Sequence, residues 1–319
     1  MKCTTFPPVT PMSPATIYVL VIVNMLTAIS SVLINFCFIV GIFSKEALVT
    51  TTNILVASLS LSDFLVGLVT QPMFFTHLLL NGRSCMVGDL TFATLGVFCG
   101  ASGLCLPLIS LDRYIRMRKL QYYSRYVTKT RVAVVISVAW VNASIMAFMP
   151  MYGVSLVVFY IFLIAYMIFI TFIMIMAYIS IIHHSRRKVS ANTPKSTSTA
   201  TSAIHGSASG TINAWPSRIS KDSKRNESEY SRQMKLTVTV TILVAVAVLS
   251  WLPAFVIWLL WALWVPASSN STIMVTLYYV AASLGFAVST MNPLLYCWRI
   301  REIRRASIDI MWKILRCGQ

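Results

Sequence analysis

Residues 87–114 read VGDLTFATLGVFCGASGLCLPLISLDRY. From Leu90 to Leu111 this stretch carries no charge, enough apolar helix to cross the roughly 30 Å hydrocarbon core of a bilayer. It ends on Asp112-Arg113-Tyr114. Charged side chains at the end of a membrane span are expensive to keep there, so they mark a functional site by default. A second apolar run, 273–297, closes on Asn292-Pro293-Leu294-Leu295-Tyr296. A proline inside a span breaks a helix whose freed backbone groups neighbouring helices must satisfy. Two such devices point to a signalling membrane protein rather than a passive anchor.

Working outward, further apolar runs of spanning length lie at 17–43, 52–79, 132–150, 155–182 and 235–264, which brings the total to seven. The expected fold is therefore an all-α membrane protein, a seven-transmembrane helix bundle. Composition agrees: 57% of the 319 residues are hydrophobic and 11% charged, with a mean hydropathy of +0.76. Soluble domains are about 45–50% apolar and about 25% charged. The net charge of +17 does not indicate nucleic acid, because it is sorted by topology. Of 26 Lys and Arg, all but Lys2 and Arg83 fall in alternate connections. By the positive-inside rule those connections are cytoplasmic, so the N-terminus is outside and the C-terminus inside, where basic segments meet anionic lipid.

The spans set the domain plan: a short extracellular N-terminus (1–16), the seven-span domain (17–298), and an interfacial helix with cytoplasmic tail (299–319). Met1–Ala15 has no charged and apolar regions of a cleavable signal, so the first span is expected to direct insertion. Residues 185–234 are rich in Ser, Thr and basic residues and poor in large apolar groups. Disorder with basic helical ends is expected there. After Tyr296, Ile300, Ile303, Ile308, Met311, Trp312 and Leu315 form one apolar stripe with basic residues mostly off it, the pattern of an amphipathic helix on the inner leaflet. Cys317 follows it, placed for palmitoylation. Cys37, Cys99, Cys105 and Cys297 sit in spans as packing residues. Cys3 and Cys85 face the oxidising side, where they pair with each other or stand as two thiols.

The ordered motifs resemble those of rhodopsin-like (class A) G protein-coupled receptors, over nearly the whole chain: Asn35 in segment one, Asp63 in two, SLDRY ending three, Trp140 and a terminal Pro150 in four, SWLP (250–253) in six, NPLLY in seven. The resemblance implies a receptor in the plasma membrane, not an enzyme, that couples an extracellular ligand to a heterotrimeric G protein, with arrestin and receptor kinases as further partners. It implies that Asp63 faces Asn35, Ser102, Ser289 and Asn292 around a sodium ion; a protonated Asp63 in a polar cluster is the alternative. It implies that Arg113 pairs with Asp112 at rest and turns toward Tyr178 and Tyr296 on activation, with Tyr114, Asn292 and Pro293 in the same switch. Trp251 and Pro253 resemble the toggle and hinge of segment six.

The chain also departs from the family pattern. Segment five has Ile170 where a proline is usual, and the aromatic beneath the toggle is replaced by Ala247, facing Gly103. Gln233 replaces the acid that usually restrains Arg113, which favours high basal signalling. Gln121 stands where an apolar residue usually meets the G protein, while Tyr123 still matches. Pro107 in segment three predicts a kink, its crowding relieved by Gly103. The second outer loop is nearly absent and has no cysteine, so the usual disulfide from the top of segment three cannot form there. These features resemble the melanocortin–cannabinoid–adenosine–lysophospholipid group, although NPLLY departs from the melanocortin form.

Ligand chemistry is partly bounded. Leu95 stands where an amine receptor needs an acid, and Phe286 where a visual pigment needs a lysine. Leu95, Cys99, Phe162, Tyr166, Phe255, Trp258, Tyr278 and Phe286, with Met73, Phe74, His77 and Trp261 nearby, outline an apolar aromatic site suited to an apolar or lipid-like ligand. Trp258, Trp261 and Trp264 equally fit an aromatic belt facing lipid, and His77 and Asp89 are expected as solvated residues near the outer mouth. Asn270 heads an outer glycosylation sequon. Two other readings stay open: an ion-coupled transporter or channel using Asp63 and Asn292 as its path, and a receptor-like protein that has lost coupling.

Overall fold

The computed structural model describes residues 9, 12–118, 122–192, 238, 241–242, 245–261, 263, 272–299 and 301–317. Gln121, Gln233, Trp264, Asn270 and Cys3, singled out above, lie outside them, as does the side chain of Tyr178. No strand occurs among the described residues.

Helix α1 (Pro14–Phe43) starts where Ser13 accepts a hydrogen bond from the Thr16 N–H at 3.2 Å and Pro14 supplies a preset first turn. Segment two is not one regular helix. It comprises α2 (Thr51–Leu65), a π-helical turn (Val66–Thr70) and α3 (Gln71–Leu79). The wide turn precedes Pro72, which has no N–H to donate into a regular turn. Gly67 lies in it, where a Cβ would come 2.9 Å from the Ala28 carbonyl oxygen. Helix α4 (Cys85–Arg118) runs continuously through Pro107. A short α5 (Tyr123–Tyr126) leads to α6 (Lys129–Phe148), whose N-terminus is capped by the Thr128 side chain. A 3₁₀ turn (Met149–Tyr152) and Gly153, at φ +92°, bring the chain into α7. That positive φ suits glycine alone without strain.

Helix α7 (Leu156–Asn192) has 37 residues, about 55 Å at 1.5 Å per residue. It outruns a bilayer and carries helix past residue 185 into the start of the basic stretch, where a helical end is expected. Segment six is represented by α8 (Ala245–Trp261), followed by α9 (Thr272–Arg299) and α10 (Arg301–Cys317). With α2, the π-helical turn and α3 taken as one span, six of the described segments are long and apolar enough to cross a membrane, and α8 is a shorter apolar helix.

Helix α4 is the centre of the bundle, packed against α2, α3, α6 and α7, while α1 lies against α2, α3, α9 and α10. Two apolar clusters form. One joins Phe74, Phe92, Phe159, Tyr160, Trp258, Tyr278 and Phe286. The other joins Phe38, Leu55, Leu59, Ile109, Tyr296 and Ile303 toward the basic end. A polar layer centred on Asp63 lies between them along α2, α4 and α9. Leu26, Leu33, Phe169 and Phe172 stay more than half exposed, a surface that suits lipid and not water.

The apolar stripe of α10 divides. Ile303 and Ala306 are buried against α1, where a Cβ on Gly41 would lie 3.0 Å from the Ser307 nitrogen. Ile308, Met311 and Trp312 stay 40–55% exposed, which leaves them to meet lipid.

Candidate functional site

At the basic end, Asp112 and Arg113 are 4% and 6% exposed. Arg113 Nε stands 3.8 Å from Asp112 Oδ2, too far for a hydrogen bond. The carboxylate is satisfied instead by hydroxyls. Thr52 Oγ1, from the first turn of α2, donates to Oδ2 at 2.6 Å, and the Tyr123 hydroxyl donates to Oδ1. Thr51 Oγ1 stands 2.9 Å from that tyrosine oxygen, and the Arg116 guanidinium lies 4.1 Å over its ring. Burial and the adjacent carboxylate raise the Tyr123 phenol above its ordinary value, so it stays a donor. Thr52 is the partner that sequence reading missed. A threonine in a Thr-Thr-Asn run gives no sign that folding will bring it to residue 112.

Tyr296 is buried and its hydroxyl has no hydrogen-bond partner among the described residues. Arg113 is thus close to Asp112 and makes no hydrogen bond to the Tyr296 hydroxyl. Tyr114 is half-buried beside the pair. Pro293 sits inside α9, which continues unbroken to Arg299.

Midway along the bundle Asp63 is 1% exposed. Ser102 Oγ donates to its Oδ1 at 3.0 Å, Asn292 Nδ2 to its Oδ2 at 2.8 Å, and Ser289 is also within hydrogen-bonding reach. Asn35 does not meet the carboxylate directly, which corrects one expected contact. Its amide donates to the Ser289 and Ser31 carbonyls at 3.0 and 2.9 Å, while Ser31 Oγ donates to the Asp63 carbonyl at 3.0 Å. Asn35 therefore ties α1 to α9, and Ser31 ties α1 to α2, around Asp63. Two amide oxygens, Asn35 Oδ1 and Asn292 Oδ1, are buried without a partner among the described residues. One carboxylate among hydroxyls and acceptor-only oxygens is a donor set for a hard monovalent cation. Among the described residues no three His, Cys, Asp or Glu gather at one place. A second polar group, also missed, links Asn24 to Ser283 at 2.8 Å and Gln71 to Thr27 at 2.7 Å.

Above this layer, Trp251 stacks on Phe255 at 5.8 Å and meets Trp258 edge-on at 6.3 Å. Its ring presses on α9 at Gly285, where a Cβ would come within 2.8 Å. Pro253 is on the exposed face of α8, which continues through it. Beside Trp251 is a cavity of about 140 Å³, the space open to centres of water-sized spheres, walled by α4, α6, α7, α8 and α9.

Leu95, Cys99, Tyr166, Phe255 and Trp258 line this cavity as expected from sequence. Phe162, Tyr278 and Phe286 do not. Phe162 is tipped outward, 46% exposed and stacked on Tyr166. Tyr278 and Phe286 are spent on packing, against Trp258 at 5.5 Å and Phe74 at 5.1 Å respectively. Phe74 and His77 do not line it either: Phe74 is fully buried, and His77 is 2% exposed rather than solvated, with Nε2 3.2 Å from the Tyr279 hydroxyl. Trp258 and Trp261 are buried, so neither belongs to a lipid-facing belt. Ala247, Gly103 and Ile170, the departures in the connector and in segment five, all line the cavity. The small side chain of Ala247 and the missing one of Gly103 leave room below Trp251. Cys85 is disulfide-bonded, whereas Cys37, Cys99 and Cys105 are free.

Comparison with known proteins supports this architecture. The model for 7 transmembrane receptors (rhodopsin family) matches residues 34–159 and 154–296. Adenosine receptor A3 of Bos taurus is 23% identical over 90% of this chain and 89% of its own. 5-Hydroxytryptamine receptor 6 of Mus musculus is 28% identical over 85% of this chain and 66% of its own. D(2) dopamine receptor A of Xenopus laevis is 38% identical over only 32% of this chain and 24% of its own.

Proposed function

Because the chain belongs to the rhodopsin family of 7 transmembrane receptors, a multi-pass membrane family of receptors and not enzymes, we propose that it couples an apolar, extracellularly supplied ligand to a heterotrimeric G protein. The observation that carries the ligand class is the cavity lining: no Asp, Glu, Lys or Arg is among the described residues that line it. The relatives' names point to adenosine and to amines. Leu95 at the cavity wall offers no carboxylate to an ammonium group, so an amine finds no counter-ion there. An uncharged ligand leaves no charge unpaired on either side.

The signalling step is a change of partners at Arg113. At rest the Asp112 carboxylate is held by Thr52 and Tyr123, with the guanidinium beside it. Movement of α8 relative to α4, driven by ligand against Trp251, frees Arg113 to meet Tyr296 and opens the basic end to the G protein. A sodium ion would be held by Asp63, Ser102, Ser289 and the free oxygen of Asn292. Bound, it supplies a positive charge that offsets the buried carboxylate and ties α2, α4 and α9 together. We place the N-terminus outside the plasma membrane, with Cys317 acylated at the inner leaflet, Asn270 open to glycosylation, and arrestin and kinases meeting the basic face.

The test is ligand-free nucleotide exchange on purified G proteins by the chain in bilayer discs, against Arg113→Ala. Exchange by the intact protein and its loss in the variant support coupling. Equal exchange rates in both would overturn it. Uncharged apolar compounds then raise the rate where amines do not.

A further inference from the structure

Helices α6 and α7 each pack on α4 but hardly on each other. Helix α6 is seated on two glycines of α4. A Cβ on Gly96 would lie 2.6 Å from the Ala147 Cβ, and one on Gly100 3.3 Å from that of Ala143, so α6 closes tightly there. Further along the same face, a Cβ on Gly103 meets nothing within 4 Å. The α6–α7 seam is therefore open beside Gly103, and the cavity reaches it between Asn142 and Met146 on one side and Met167 and Ile170 on the other.

The end of the cavity farthest from Asp112 is walled by rings. Phe92, Phe159, Tyr160 and Trp258 are each no more than 4% exposed, with successive centroids 5.6, 5.5 and 6.0 Å apart. At the seam the only amide side chain is Asn142, exposed within the apolar helix α6 and making no hydrogen bond among the described residues. An amide at that depth is costly to leave facing hydrocarbon.

We infer that the α6–α7 seam is a lateral portal from the bilayer, through which a single-chain lipid with an uncharged hydrogen-bonding head enters the cavity, with Asn142 as its polar contact at the gate. The apolar chain passes over Gly103 toward Ala247 and occupies the space that a connector aromatic would fill. The head stays uncharged because no lining group would neutralise it. The inference rests on the reading that the ligand is apolar, and adds its route and its head group.

A diazirine-bearing long-chain fatty alcohol in bilayer discs holding the full chain tests this, with labelled peptides mapped after irradiation and a diazirine-bearing phosphatidylcholine as the bulk-lipid probe. The alcohol is expected to label the lining around Gly96–Leu104 and Leu163–Thr171, and phosphatidylcholine only the outer faces. Asn142→Leu should lower lining label by roughly three- to tenfold, the worth of one hydrogen bond. Ile170→Trp, placed in the seam, should slow it further, while label on Leu33 and Phe36 of α1 is unchanged. Gly103→Leu is a second variant, entering open space; it should exclude the chain from the interior without unfolding the protein. Lining label that persists in Asn142→Leu and Ile170→Trp overturns the portal but leaves an apolar ligand entering from outside. Absence of lining label in the parent overturns both readings.

Discussion

Thr52→Val removes one of the two buried hydroxyl donors to Asp112. Thr52 is 4% exposed, and valine keeps its shape while deleting a 2.6 Å hydrogen bond to Oδ2. Hydrogen bonds to a charged group are worth about 1.5–3 kcal/mol. If the bond belongs to the resting form alone, that whole amount shifts the balance toward the active form, a change of roughly 10- to 150-fold. The assay is ligand-free nucleotide exchange in bilayer discs, with folded receptor held equal by thermal unfolding. Ligand-free exchange should rise toward the fully liganded rate. Tyr123→Phe should act in the same direction, and the double variant should exceed either alone, because both donors restrain one carboxylate. Exchange by Thr52→Val within twofold of the parent would refute the reasoning, since the bond would then survive activation.

Three further outcomes are expected. Gly285→Ala places a methyl 2.8 Å from the Trp251 ring, which should destabilise by about 1–3 kcal/mol; the cost should largely vanish in a Trp251→Leu background, and thermal unfolding of both pairs checks it. Asp63→Asn should abolish a sodium-specific rise in unfolding temperature between sodium and choline chloride; at ten times the dissociation constant, ligation adds about 1.4 kcal/mol, and a rise retained by the variant argues against the site. Lys45→Ala breaks a 3.9 Å pair to Asp309 whose side chains are 56% and 62% exposed, so it should cost less than about 0.5 kcal/mol. A larger loss would mean that Lys45 anchors α10.

Much of the site was legible because its chemistry is out of place in lipid. Asp63, Asp112 and Arg113 stand out in apolar runs, and Trp251 and the NPLLY end are recognisable by order along the chain. Asn35 was found by the same resemblance, but its bond goes to the Ser289 carbonyl, because backbone groups carry no sequence signal. Thr52 was not found, since a hydroxyl at a helix start is an ordinary capping residue. The cavity wall was half found. Helix position alone does not say whether Phe162 faces the cavity or lipid when both sides are apolar.

The sequence by itself determined seven apolar spans, the sidedness of charge and an amphipathic helix after the last span. Hydrocarbon length and the cost of charge in lipid act on each segment separately, so those properties need no knowledge of neighbours. Only the tertiary structure decided that Thr52 and Tyr123 hold Asp112, that Trp258 and Trp261 are buried, and that α6 and α7 part beside Gly103. Each of these depends on helix rotation and on contacts between residues distant in the chain. Within a bilayer, burial in protein and exposure to lipid have the same apolar signature, so composition cannot separate them.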